Sequence, residues 1–134
     1  MTVGVAAAIR DYVAVAFRWQ RGRQGTGYDK MLLLSGRWPL PFDTYLLRYP
    51  EGSEIPPHTD RVATGRHYRL NLVLKAAPAG GEFVCAAPLF ASRRVNFFRS
   101  DACEHSVTRV GGGNRYVLSI GWVLRSREPA ADGR

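Results

Sequence analysis

Apolar positions recur with a helical period at the start of the chain and with a period of two later on. Val5, Ile9, Tyr12, Val13, Ala16 and Phe17 fall at helical spacing, while Arg10, Asp11 and Arg18 fall largely elsewhere. The pattern predicts a helix over about residues 3–20, stopping near Arg21-Gly22. Residues 22–27, Gly-Arg-Gln-Gly-Thr-Gly, read as a flexible connector, because no Gly-Lys-Ser/Thr follows to make a phosphate loop. Short apolar segments then alternate with turns. Met31–Ser35, Thr44–Tyr49, Ile55–His58, Tyr68–Lys75, Glu82–Ala86, Val95–Arg99, His105–Val110 and Arg115–Leu124 are candidate strands. Gly80-Gly81 and Gly111-Gly112-Gly113-Asn114 are turn signals. About eight short strands at this spacing predict a sandwich or barrel rather than a βαβ fold. Residues 126–134 read as a flexible tail, which leaves 1–125 as a single domain.

Two strands have faces of different character. Tyr68, Leu70, Leu72 and Leu74 share one face of their segment, and Arg69, Asn71 and Val73 the other. Tyr116, Leu118, Ile120, Trp122 and Leu124 oppose Arg115, Val117, Ser119, Gly121 and Val123. The bulky faces are expected to pack the core, against the N-terminal helix. The mixed faces, carrying Arg69, Asn71 and Arg115, are expected to look into a partly polar cavity. A buried arginine is costly without a partner, so an anionic ligand or a carboxylate should meet it there.

Composition narrows the class. Hydrophobic residues are 46% of the 134 and charged residues 22%, enough to build a core and to argue against disorder throughout. No apolar run approaches the ~20 residues of a membrane span, and the N-terminus lacks a signal-peptide pattern, so a cytoplasmic location is expected. Cys85 and Cys103 are too few for a disulfide framework and are expected to be free buried thiols. The net charge of +8 favours anionic partners, nucleic acid included; Trp19 and Tyr28 flank the basic segment of Arg18, Arg21 and Arg23.

The three histidines carry the chemistry. His58 and Asp60 stand two apart in Pro-Pro-His-Thr-Asp, so on an extended segment their side chains aim at one point. An imidazole, a carboxylate and a third ligand make the facial triad that leaves coordination positions open on non-heme Fe(II). His105, at the start of a predicted strand, is the third candidate. Arg115 follows ten residues later across a glycine-rich turn and offers a two-pronged donor for a carboxylate. His67 sits beside the Thr64-Gly65 turn and competes weakly; Cys103-x-His105 lacks the paired set of a structural zinc site.

The ordered motifs resemble those of the Fe(II)- and 2-oxoglutarate-dependent oxygenases, in their prolyl 4-hydroxylase-like branch. The resemblance spans about residues 44–123. It rests on Leu47-Arg48-Tyr49-Pro50-Glu51-Gly52, His58-Thr59-Asp60, Arg69-Leu70-Asn71-Leu72-Val73-Leu74 and Gly80-Gly81-Glu82-Phe83. Val95-Asn96-Phe97-Phe98, His105-Ser106-Val107 and Gly113-Asn114-Arg115 leading to Trp122 complete it. It implies a mainly β fold, a double-stranded β-helix or jelly roll, with the helix packed on the sheet and the barrel over about 31–124. It also implies Fe(II) held by His58, Asp60 and His105, with 2-oxoglutarate and dioxygen as cosubstrates. Arg115 matches the residue that binds the distal carboxylate of 2-oxoglutarate, and Tyr49 a tyrosine that contacts it. Arg69 and Asn71 fall on a strand that lines the pocket. The implied activity is hydroxylation of a C–H bond with release of succinate and CO2. The substrate stays open among a peptidyl residue, an amino acid, a metabolite and a nucleobase. The alternatives are a cupin-like metal-binding β-barrel, acting as an isomerase or as a non-catalytic sensor, and a basic nucleic-acid-binding barrel.

Overall fold

The computed structural model describes residues 18–22, 26–37, 40–60 and 65–125. The described residues are strand and loop. The first half holds β1 (Trp19–Arg21), β2 (Asp29–Gly36), β3 (Phe42–Tyr49), β4 (Ile55–His58), β5 (Arg66–Lys75) and β6 (Ala79–Gly80). The second holds β7 (Phe83–Cys85), β8 (Phe90–Ala91), β9 (Val95–Arg99), β10 (His105–Val107), β11 (Val110–Gly111) and β12 (Arg115–Leu124). A seven-stranded sheet runs β1-β2-β3-β12-β5-β9-β8, a three-stranded sheet runs β4-β10-β7, and β11 pairs with β6. All pairings are antiparallel.

Seven of the eight expected strands recur with small changes of boundary, Ile55–His58, Val95–Arg99 and Arg115–Leu124 coinciding with β4, β9 and β12, whereas the expected His105–Val110 is divided into β10 and β11, which lie in different sheets. The predicted helix needs correction at its C-terminal end. Trp19–Arg21 is an edge strand paired with Asp29–Met31, and residues 3–17 of the prediction lie outside the described residues. Tertiary pairing decides here. Gly22 N–H bonds to the Tyr28 carbonyl at 2.8 Å, turning the chain back onto β2, and the Arg48 guanidinium lies 4.2 Å above the Trp19 ring.

The bulky faces are also placed differently from expectation. On β12, Arg115, Val117, Ser119 and Gly121 are buried, while Tyr116, Leu118, Ile120 and Trp122 are only partly covered. The same inversion holds for Asn71 and Val73 against Leu70 and Leu72 on β5. The smaller, mixed faces point inward because the interior of the roll must enclose a cavity. The large rings stack on the other side, where Tyr68, Phe97 and Trp122 lie 5.7–6.1 Å apart. The inner core consists of Tyr49, Ile55, Val73, Val107, Val110 and Val117, with Leu47 and Phe83 against it.

The cysteines depart from expectation too. Cys85 and Cys103 form a disulfide with a Cα separation of 6.7 Å. The pairing of β7 with β10 sets Cys85 opposite His105, two residues from Cys103, and so brings the thiols together.

Candidate metal centre

β4 and β10 are neighbours, and their register sets His58 directly opposite His105. Asp60 follows β4 after one residue, and its N–H donates to the Ser100 carbonyl at 2.7 Å. One ligand atom from each of His58, Asp60 and His105 lies within 4.8 Å of the others. The carboxylate is central: its Oδ1 is 3.5 Å from His58 Nε2 and its Oδ2 is 3.5 Å from His105 Nε2.

The tautomers follow from the backbone. His58 Nδ1 lies 2.9 Å from the Pro56 carbonyl, and His105 Nδ1 lies 2.9 Å from the Cys103 carbonyl. A carbonyl oxygen only accepts, so both Nδ1 atoms carry a proton and both Nε2 atoms face Asp60. Such outer hydrogen bonds are what fix metal-binding imidazoles. Burial raises the Asp60 pKa, but the hydrogen bond from His105 and the nearby His105, His58 and Arg69 outweigh it, leaving the carboxyl below its usual value. Phe98 and Phe83 pack against the His105 ring at 4.8 and 6.1 Å and keep that side dry. Two imidazoles and an ionised carboxylate on one side of an open cavity fit a divalent transition metal.

The cavity measures about 360 Å³, within the range of small-molecule sites. Its wall includes all seven residues singled out from the sequence: Tyr49, His58, Asp60, Arg69, Asn71, His105 and Arg115. Arg115 stands opposite Tyr49 in the β12–β3 register, 4% exposed, its guanidinium 5.0 Å from the Tyr49 ring centroid. Among the described residues no carboxylate forms a salt bridge with it. Burial lowers its pKa, partly offset by Tyr49. Burial likewise pushes the Tyr49 phenol up to about 12, against the pull of Arg115, so it stays protonated. Gly80 and Gly81, with φ of 60° and 66°, shape the turn beside this arginine; a Cβ at Gly81 would lie 3.1 Å from Arg115 Cδ.

Arg69 and Asn71 belong to a polar relay across three strands. Arg69 donates to Asp43 Oδ1 at 3.0 Å and to Ser119 Oγ at 2.8 Å, and Ser119 donates to Asn71 Oδ1 at 2.6 Å. Arg69 Nη2 also lies 3.4 Å from His67 Nε2. A guanidinium only donates, so that nitrogen accepts and His67 Nδ1–H meets Ser100 Oγ at 2.8 Å. His67 thus stands outside the metal group. Sequence reasoning missed three other lining residues, Lys30, Tyr28 and Tyr45. Their signal was present as parity: Tyr28 and Lys30 are two apart near the start of β2, as Tyr45, Leu47 and Tyr49 are on β3.

No family model matches the chain, and no curated protein matches it. Solved structures do. A Pseudomonas putida prolyl-4-hydroxylase superposes with a TM-score of 0.61 at 18% identity, over 92% of this chain and 85% of that one. The cupin domain of Schizosaccharomyces pombe Cnp3 gives 0.58 at 14% identity, over 81% and 70%. A predicted oxalate decarboxylase from Thermotoga maritima gives 0.57 at 19% identity, over 81% and 94%. The fold is a cupin-type jelly roll. Identities this low speak to that roll and leave the reaction to be argued from the site. No helix among the described residues is long and apolar enough to cross a membrane.

Proposed function

We propose that this protein is an Fe(II)- and 2-oxoglutarate-dependent dioxygenase that hydroxylates a C–H bond. One atom of dioxygen would go to succinate, with loss of CO2, and the other to the substrate. One juxtaposition carries the reading. A His-Asp-His group with both Nε2 atoms aimed at one carboxylate shares its cavity with a buried arginine that no carboxylate salt-bridges among the described residues.

His58, Asp60 and His105 would hold the iron, which with its cosubstrates supplies the oxidising chemistry. The protein's own part is geometric and electrostatic. The carbonyls of Pro56 and Cys103 orient the two imidazoles. Arg115 would take the distal carboxylate of the cosubstrate through two parallel N–H bonds, which supplies the anion that its burial demands. Tyr49 presents its ring to that guanidinium and keeps its phenolic proton. Phe83 and Phe98 exclude water beside His105.

A non-catalytic or cupin-like metal-binding barrel is the second reading, since a cupin domain and a predicted oxalate decarboxylase share the roll. That reading gives Arg115 no task. Anaerobic addition of Fe(II) and then 2-oxoglutarate separates the two. A visible metal-to-ligand charge-transfer band is expected, and His105→Ala and Asp60→Ala should remove it and 2-oxoglutarate turnover while the roll stays folded. A folded wild-type protein without the band would sink the oxygenase reading.

A further inference from the structure

We infer that Lys30 and Tyr45, at the β2–β3 side of the cavity, form a recognition point for an acidic group on a small prime substrate. The inference rests on the oxygenase reading for what else fills the cavity. Lys30 and Tyr45 line the same space as the metal group and Arg115, and Lys30 Nζ lies 5.3 Å from the centroid of the Tyr45 ring. Lys30 pairs with Leu47 in the β2–β3 register, which places it beside the inward row Tyr45, Leu47, Tyr49. Among the described residues no carboxylate salt-bridges Lys30.

Charge balance separates Lys30 from the other cations of the cavity. Arg69 is neutralised by Asp43. Arg115 is the partner for the far end of the cosubstrate. Asp60, a divalent ion, a dianionic cosubstrate, Arg115 and Lys30 together leave one positive charge, and Lys30 is the group left without a counterpart. Tyr45 and Leu47 stand next to it, and Tyr28 and Phe83 line the same cavity; such low-dielectric walls strengthen attraction for an anion over that in water. Burial and the neighbouring Asp43 raise the Tyr45 pKa, so its hydroxyl stays protonated and remains a hydrogen-bond donor. A carboxylate and a phosphate suit a lysine point charge equally well. A cavity of about 360 Å³ that also holds a cosubstrate leaves room for a small molecule or the end of one side chain.

The test uses Fe(II)-loaded, anaerobic protein at saturating 2-oxoglutarate, titrated calorimetrically with acetate in one arm and inorganic phosphate in the other. Each arm reports one source of the acidic group. Saturable binding in at least one arm is expected in wild type, weakened tenfold or more in Lys30→Met and severalfold in Tyr45→Phe. The charge-transfer titration should give Lys30→Met a cosubstrate affinity within about twofold of wild type. Anion binding unchanged in Lys30→Met or undetectable in both wild-type arms would overturn the inference. So would a tenfold loss of cosubstrate affinity in that variant, which would assign Lys30 to the cosubstrate. If wild type gives no band, the oxygenase reading falls and the same titration is run on metal-free protein. There, Lys30-dependent anion binding still upholds this inference and its absence overturns it.

Discussion

Replacing Arg115 by Met keeps most of the side-chain volume and removes the buried charge. Two opposite effects follow. A hydrogen bond to a charged group contributes about 1.5–3 kcal/mol, so losing a two-pronged contact should weaken 2-oxoglutarate between about a hundred- and about twenty-thousand-fold. Iron affinity should be unchanged, because Arg115 lies outside the His58–Asp60–His105 group. The ligand-free protein should become more stable. Exchanging a buried ionic group for an apolar one is neutral or stabilising by about 1–4 kcal/mol. The Tyr49 ring already compensates part of the burial cost, by about 1–2 kcal/mol for a desolvated cation over an aromatic face. A net gain of about 1 kcal/mol is therefore expected, a rise of about 3 °C in melting temperature for a chain of this size. Thermal melts of the metal-free protein and anaerobic charge-transfer titrations read the two effects separately. A variant that melts several degrees lower and binds the cosubstrate as wild type does would make the arginine a structural residue and refute the argument.

Other perturbations act on the relay and the staple. A Cβ at Gly121 would lie 2.4 Å from Arg69 Nη2 and 3.0 Å from His67 Nε2, so Gly121→Ala should displace the guanidinium from Asp43 and Ser119. A loss of about 2–3 kcal/mol in urea denaturation is expected, and a midpoint equal to wild type would show that the relay is dispensable. Burial first, and Arg69 second, lower the His67 pKa from 6.5. Its contribution is then full above the unfolded value and lost as pH falls through the depressed folded value. Melting temperature should decline as pH falls below 6.5 in wild type and decline less in His67→Gln; equal slopes would contradict the assignment. The disulfide closes a separation of 18 residues, so reduction by dithiothreitol should cost about 3 kcal/mol, read from denaturant midpoints with and without reductant. Identical midpoints would mean that the staple contributes nothing.

The metal group was legible because its signal is local. His58 and Asp60 share a direction by spacing alone, and His105 stands at the start of a predicted strand, although its meeting with them depends on the β4–β10 register. The strands were legible for the same reason, each bounded by Pro, Gly or Asn. What resisted was anything decided by pairing between distant segments. The edge strand Trp19–Arg21 exists because β2 accepts it, not because three residues prefer to be extended. The meeting of Cys85 with Cys103 depends on the β7–β10 register. The inward face of β12 was misread because bulk suggests a core, whereas this interior is a binding cavity and excludes its largest side chains. Lys30 went unnoticed because a single lysine near the start of a strand carries no pattern until β3 is placed beside it.

The two halves of the site belong to different sheets. His58 and His105 stand on the three-stranded sheet, and Arg115 on the seven-stranded one. A ligand gripped at both ends would therefore act as a rivet between two layers that otherwise meet through side-chain packing. Occupancy would be felt as mechanics as much as chemistry: amide exchange on β4, β10 and β12 would slow together, in parts of the backbone that share no hydrogen bond with one another across the gap.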